Sequence, residues 1–181
     1  MQSSNNPSPP LPPMFERYRL DVANTLHRSI SDLHLKEIPD LLKYHLGWVD
    51  RDGNVSQTAF SQGKALRPTL CMFACDALGG DITRAVLGAA ALELIHNFSL
   101  IHDDIQDQDI ERRHQSTVWS IWGIPKALVA GDAMQAVGDL TALMSMEKGV
   151  PVNVVLKVSE ILTESYLEMI EGQCLDLGFE T

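Results

Sequence analysis

The sequence lacks the features that mark several common classes of protein. Only three of its 181 residues are cysteine, an odd number without a secretory leader, which favours reduced thiols in the cytoplasm. Aromatic residues make up 6% of the chain and β-branched residues form no alternating runs, which disfavours a sheet protein. No stretch offers the roughly 20 unbroken apolar residues of a membrane span. We therefore expect a soluble, cytoplasmic, helical protein.

The charge balance narrows the choice of partners. The formal net charge is −10 at pH 7, whereas nucleic acid and anionic lipid both require a basic surface. No nucleic-acid partner is therefore expected. Acidic small molecules remain possible ligands, because an acidic protein can hold them through a divalent cation and a few well-placed basic residues.

The chain divides into a short arm and one helical domain. Residues 1–13, MQSSNNPSPPLPP, combine Pro, Ser and Asn without the basic and apolar regions of a signal peptide, and they predict a disordered arm. Residues 14–181 are long enough for a single domain with a sizeable core. Apolar spacing predicts five or six helices with no convincing strand. Their expected ranges are Phe15–Leu35, Ile38–Leu46, Gly63–Leu78, Thr83–Gln106, Pro125–Met146 and Pro151 to beyond Cys174, with Asp81 as an N-cap and ERRHQST and VWSIW as a loop and a turn.

The strongest chemical signal is the run HDDIQDQD at residues 102–109. Asp103 and Asp107 are one helical turn apart and share a face, and Asp104 can reach the same space from the side. One interpretation is a solvated acidic helix end, and the other is a Mg²⁺ site. The metal is favoured because the acids lie at the C-terminal end of a helix, where the dipole disfavours them, and follow the most apolar run in the chain.

Weaker signals surround these acids. His96 lies two turns before Asp103 on the same side, and by itself it is more simply a core residue. Phe98 and Ser99 lie one turn below the acids, where they form the floor of any pocket or pack in the core. The remaining basic candidates are Arg112 and Arg113, in a loop suited to phosphate, and the cluster Gly63, Lys64 and Arg67 at a helix start.

A cysteine pair offers a second metal hypothesis. Cys71 and Cys75 have an i, i+4 spacing, but their neighbours are apolar and no second pair exists in the sequence. Buried, unreactive thiols are the better interpretation.

The ordered set of fragments resembles the trans-isoprenyl diphosphate synthases, the polyprenyl synthetase family. The resemblance runs from GKALRP at Gly63, through ELIHNFSLIHDDIQDQDIERR and STVWSIWGIPKALVAGD, to EGQCLDL at Leu177. It implies an all-α antiparallel helix bundle around a deep apolar cavity, usually a homodimer. The implied activity is Mg²⁺-dependent condensation of isopentenyl diphosphate with an allylic prenyl diphosphate.

The resemblance also assigns roles to residues of this chain. It implies Mg²⁺ and allylic diphosphate binding by the first aspartate-rich motif, with Arg112 as a further allylic contact. It implies an isopentenyl diphosphate site, and a GQxxD element that lines the pocket from a facing helix. The corresponding residues are Asp103, Asp104 and Asp107 for the motif; Gly63, Lys64, Arg67, His96 and Arg113 for isopentenyl diphosphate; and Gln173 and Asp176 for GQxxD.

The family pattern includes a second aspartate-rich motif downstream of GQxxD, and this sequence does not contain it. We therefore expect 14–181 to be a partial domain that is inactive alone. The alternatives are a class I terpene cyclase and a non-catalytic subunit that pairs with a full-length synthase. The aromatic Phe98, five residues before Asp103, resembles enzymes that make the twenty-carbon geranylgeranyl product, with a fifteen-carbon product as the rival.

Overall fold

The computed structural model describes residues 13–31, 33–34, 37–56 and 65–179, and in these ranges the protein is an all-α bundle. The prediction of an all-helical fold is confirmed. The helices are α1 Pro13–Ser31, α2 Glu37–His45, α3 Leu66–Ala77, α4 Ile82–Gln106, α5 Val118–Trp122, α6 Ile124–Leu143, a 3₁₀ helix Met144–Lys148, and α7 Val152–Phe179.

The helix α4 is the centre of the bundle. The Asp81 side chain caps it by accepting a 3.0 Å hydrogen bond from the Thr83 N–H, as its position before an apolar run predicts. The helix packs most extensively on α6, and also on α3 and α1. The small residues Ala89, Ala90 and Ala91 are fully buried, which lets neighbouring helices approach closely. By length and composition α4 could cross a membrane, but 67% of its most apolar window is buried inside the fold.

The segment after α4 departs from the prediction. ERRHQST was expected to be a loop, but it contains a short antiparallel hairpin in which β1 Glu111–Arg112 pairs with β2 Gln115–Ser116. Its two central residues, Arg113 and His114, have positive φ angles of 53° and 63°, the backbone that a two-residue hairpin requires. The prediction of no strand was therefore wrong here. VWSIW, expected to be a turn, forms α5.

Several helix ends also differ from the expected ones. The first helix ends at Ser31, well before the predicted Leu35, which lies outside the described residues. The third begins at Leu66, and Gly63 and Lys64 likewise lie outside the described residues. Helix α6 ends at Leu143 and continues as the 3₁₀ helix, so the end predicted at Met146 falls within the 3₁₀ helix.

The last helix, α7, packs on α6, α4 and the 3₁₀ helix. Val155 is its one buried residue within the described part of the chain, while Leu162 and Tyr166 pack partly buried against the core. Because α7 faces the C-terminal half of α4, it forms one wall of a groove that begins at Asp103.

Candidate active site

The first part of the site is a pair of carboxylates at the C-terminal end of α4. Asp107 ends the helix, and its N–H donates to the Asp103 carbonyl at 2.8 Å. Partial burial, and then the charge of Asp107, raise the pKa of the Asp103 carboxyl. The two groups therefore repel each other without a cation, and a bound divalent cation would relieve that repulsion.

Asp104 does not join this pair. Its side chain is buried, and its Oδ1 accepts a 2.5 Å hydrogen bond from Arg112 Nε. Its Oδ2 is also buried, with no hydrogen-bond partner in the described part of the chain. Asp104 lies in a small cleft with His45, Arg112 and Arg113, whereas Asp103 faces the groove beside α7. The sequence placed all three carboxylates in one space, whereas in the structure Asp103 and Asp104 line different clefts, although the charge of Asp103 still contributes to the raised pKa of Asp104.

The donors present can be compared with the needs of a metal ion. Within residues 13–31, 33–34, 37–56 and 65–179, no three His, Cys, Asp or Glu side chains are arranged to hold a metal. Mg²⁺, however, is usually held by one or two carboxylates, with substrate phosphates and water completing its shell. Asp103 and Asp107 fit that pattern. Cys71 and Cys75 do not form a metal site in these ranges, and burial raises the pKa of the Cys71 thiol.

A cationic cluster surrounds His96 on α4. Burial, followed by the positive charges of Arg67, Arg113 and Arg112, lowers the pKa of His96 to about 4. Burial also lowers the pKa of the Arg113 guanidinium, and the nearby Glu93 carboxylate opposes that shift. Arg67, His96, Arg112 and Arg113 thus act on one another electrostatically. Such a concentration of positive charge suits a diphosphate.

The hairpin positions the arginines of this cluster. Tyr44 Oη donates a 2.7 Å hydrogen bond to the Ser116 carbonyl, and Gln115 Nε2 donates at 2.9 Å to the Tyr44 carbonyl. The Thr117 hydroxyl and the Trp119 indole N–H both donate to the Asp109 carbonyl at 2.8 Å. These bonds tie the hairpin to α2 and α5. Sequence reasoning missed Tyr44, His45 and Gln115, because nothing local links residues so distant along the chain.

A groove of about 430 Å³ runs from Asp103 between α4, α6 and α7. Its lining includes three of the sequence-predicted site residues, Phe98, Ser99 and Gln173, and also His102 and Ile170. The Phe98 ring is buried and meets Tyr166 edge-to-face, with ring centroids 6.0 Å apart. The groove is polar near Asp103 and apolar further along. Asp176 does not line it; this side chain is exposed on α7.

Comparison with known proteins identifies the family of the chain. The family model described as polyprenyl synthetase matches residues 51–181. The chain belongs to the polyprenyl synthetase family. Within it, the (2E,6E)-farnesyl diphosphate synthase of Mycobacterium tuberculosis (strain ATCC 25618 / H37Rv) is 40% identical over 150 residues, which cover 83% of this chain and 39% of that protein.

Two further relatives span more of the chain. The geranylgeranyl diphosphate synthase of Sulfolobus acidocaldarius is 34% identical over 168 residues, covering 92% of this chain and 47% of that protein. The crystal structure of a polyprenyl synthetase from Streptomyces coelicolor A3(2) superimposes with a TM-score of 0.82 at 34% identity, covering 93% of this chain and 47% of that one. The chain thus spans less than half the length of these polyprenyl synthetase relatives.

Two partly buried histidines of this family member, His45 and His96, predict a pH-dependent stability. Burial, with the nearby arginines, lowers the pKa of His45 to about 3, and that of His96 is about 4, against an ordinary value of 6.5. The unfolded chain therefore takes up protons first, so stability falls as pH drops below about 6.5. Lowering the pH from 7 to 5 should cost about 2 kcal/mol for His45 alone.

Urea unfolding at both pH values would measure this effect. The loss between pH 7 and 5 should be smaller in a His45→Gln variant than in the native chain. His114→Gln is the matched control, because its side chain is 89% exposed at the hairpin turn. An equal loss in the native chain and the His45→Gln variant would show that His45 is not kept neutral by burial.

Proposed function

We propose that this chain provides the first substrate-binding half of a Mg²⁺-dependent trans-prenyltransferase. The proposed reaction is head-to-tail condensation of isopentenyl diphosphate with an allylic prenyl diphosphate. One observation carries the proposal. The Asp103 carboxylate, which the neighbouring charge of Asp107 repels, lines a largely apolar groove, with a cluster of arginines beside the same helix.

Two neighbouring regions beside α4 would then each bind one substrate. On the groove side, Asp103 and Asp107 would hold Mg²⁺, which when bound neutralises the negative charge of the allylic diphosphate. In the arginine cluster around His96, Arg67, His96 and Arg113 would bind isopentenyl diphosphate, together with Gly63 and Lys64. Arg112, held by Asp104, would reach the allylic diphosphate. Gln173 would face the tail from α7, and Asp176 would need a change of position to join it.

The residues present can account for the main demands of the chemistry. Arginine donors draw charge from a leaving diphosphate and so favour cleavage of the allylic C–O bond. The buried Phe98 ring offers the reactive cation an apolar wall, which would help to keep water away from it. A second electropositive region at Arg67 and Arg113 disfavours a terpene cyclase, which has no second diphosphate to bind.

Further parts of the proposal concern the whole protein. We propose a cytoplasmic homodimer whose product is geranylgeranyl diphosphate. The relatives carry both farnesyl and geranylgeranyl names, so support for the twenty-carbon product comes from Phe98 alone. Because the chain spans less than half the length of its relatives, we expect it to condense these substrates poorly by itself.

The direct test is binding of an unreactive allylic thiolodiphosphate with Mg²⁺, followed by titration calorimetry. The native chain should bind the analogue with Mg²⁺ and lose that binding when the metal is chelated. An Asp103→Ala, Asp107→Ala double variant should bind at least about tenfold more weakly. Asp40→Ala, an exposed aspartate in α2, is the control. Equal affinity in the double variant would rule out the assigned metal site.

A further inference from the structure

His102 occupies a narrow position between the groove and α6. Its ring meets Phe98 edge-to-face, with centroids 5.9 Å apart. Its Nε2 lies 3.4 Å from the Leu128 carbonyl and 3.6 Å from the Asp132 carboxylate. The side chain is 23% exposed, and it lines the groove directly beside Asp103. Contacts on the α6 side therefore hold the ring against the wall of the groove.

Gly131 makes this position possible. It is buried on the face of α6 that packs against α4, and a Cβ atom built there would overlap Nε2 and Cδ2 of His102. Any larger residue must displace the imidazole, because the overlapping atoms belong to the mobile end of that side chain. The need for glycine here is spatial, since the residue lies within a regular helix.

The order of residues along α4 places His102 between Asp103 and Phe98. His102 immediately precedes Asp103, and Phe98 lies one turn further down the same helix. A chain that leaves a diphosphate at Asp103 and descends the groove therefore passes His102 before it reaches Phe98. A ring pushed off α6 would have the groove as its adjacent open space.

We infer that Gly131 and His102 together set the width of the upper groove and so determine which prenyl tail lengths it accepts. This inference rests on the proposed function, because it takes the groove to hold the tail of an allylic diphosphate. Gly131 acts through His102, whereas His102 would touch the tail itself. Substitution of Gly131 should therefore weaken the binding of long tails more than that of short tails, without altering recognition of the diphosphate.

The test measures the affinity of the 181-residue chain for thiolodiphosphate analogues of five, ten, fifteen and twenty carbons, with Mg²⁺ present. In Gly131→Ala, the fifteen- and twenty-carbon analogues should bind about tenfold more weakly, because methylene contacts in an apolar site carry discrimination of that size. The five-carbon analogue should change less than about twofold, since its tail ends above the constriction.

Two further variants separate this effect from damage to the fold. Gly88→Ala makes the same substitution in α4, where nothing lies within 4 Å of the added carbon, and it should leave all four affinities unchanged. His102→Ala combined with Gly131→Ala removes the displaced ring and should restore binding of the long tails. Circular dichroism would show whether Gly131→Ala alone folds poorly. If it does, the double variant still tests the inference, because it lacks the overlapping ring.

Three outcomes would overturn the inference. The first is an unchanged dependence of affinity on tail length in Gly131→Ala, the second an equal loss of affinity for every tail length, and the third no recovery in the double variant. In each case the proposed function would stand, provided that the native chain binds the analogues. If the native chain binds none of the four analogues, the proposed function itself fails and the inference fails with it.

Discussion

Replacing Asp104 by alanine should lower the free energy of unfolding by about 3 kcal/mol, whereas replacing its neighbour Asp103 should leave it unchanged or raise it. Asp104 is buried and pairs at 2.5 Å with Arg112, whose side chain is 28% exposed. Among the described residues, its loss leaves the half-buried Arg112 guanidinium with a single ion-pair partner, Asp109, at 3.9 Å. Within the described residues Asp103 makes no such ion pair, and burial and the charge of Asp107 disfavour its ionised form more than the charge of Arg112 favours it.

Urea unfolding of the two single variants, at pH 7 and without added metal, would measure this contrast. A double-mutant cycle with Arg112→Met isolates the ion pair, because removing both partners should cost less than the sum of the single losses. Equal destabilisation by Asp103→Ala and Asp104→Ala would contradict the division of roles. Calorimetry adds a second readout, since only Asp103→Ala should directly remove a Mg²⁺ ligand.

This contrast explains how one short motif can serve two purposes. Successive residues on a helix point about 100° apart, so Asp103 and Asp104 necessarily face different surroundings. Asp103 faces a groove and would hold a ligand. Asp104 faces the hairpin and fixes an arginine. The carboxylate that pairs with an arginine is therefore distinct from the one that faces the groove, although burial raises the pKa of both carboxyl groups.

The sequence predicted the parts of the fold that depend on local signals. α4 was predicted closely because Asp81 is a good N-cap and the following run is apolar on most faces. The end of α1 was missed, since no Gly or Pro marks Ser31 as a terminus. The hairpin was also missed, because Arg113 and His114 are not the Asn-Gly type of turn that announces one. Hydrogen bonds from distant Tyr44 and Gln115 hold it instead.

The candidate site was likewise predicted where local signals determine it and missed where distant residues do. From helical spacing alone, the sequence predicted that Asp103 and Asp107 share a face and that Phe98 lies one turn below them. It could not show that Asp104 turns to Arg112, because the hairpin that delivers Arg112 was not predicted. It could not show why Gly131 is glycine, since the overlapping His102 ring lies on another helix.

The second large effect concerns Phe98. Phe98→Ala should lower the free energy of unfolding by about 3–5 kcal/mol, because it leaves a cavity where a buried ring now packs edge-to-face against Tyr166. Phe73→Ala is the matched control, since Phe73 is 44% exposed on α3. Equal losses in both variants would show that the Phe98 ring contributes little packing to the core.

The same substitution tests whether Phe98 is the floor of the groove. In a longer form of the protein that turns over, Phe98→Ala should shift the products to longer chains, because an added isoprene unit can fill the space that the ring leaves. Ser99 should not limit the chain, since its small side chain is occupied by a 2.8 Å hydrogen bond to the His96 carbonyl. Products resolved by chain length from Phe98→Ala, Phe73→Ala and the native enzyme would decide the question. If only stability changes and the product distribution stays fixed, Phe98 is a core residue and the floor lies on another helix.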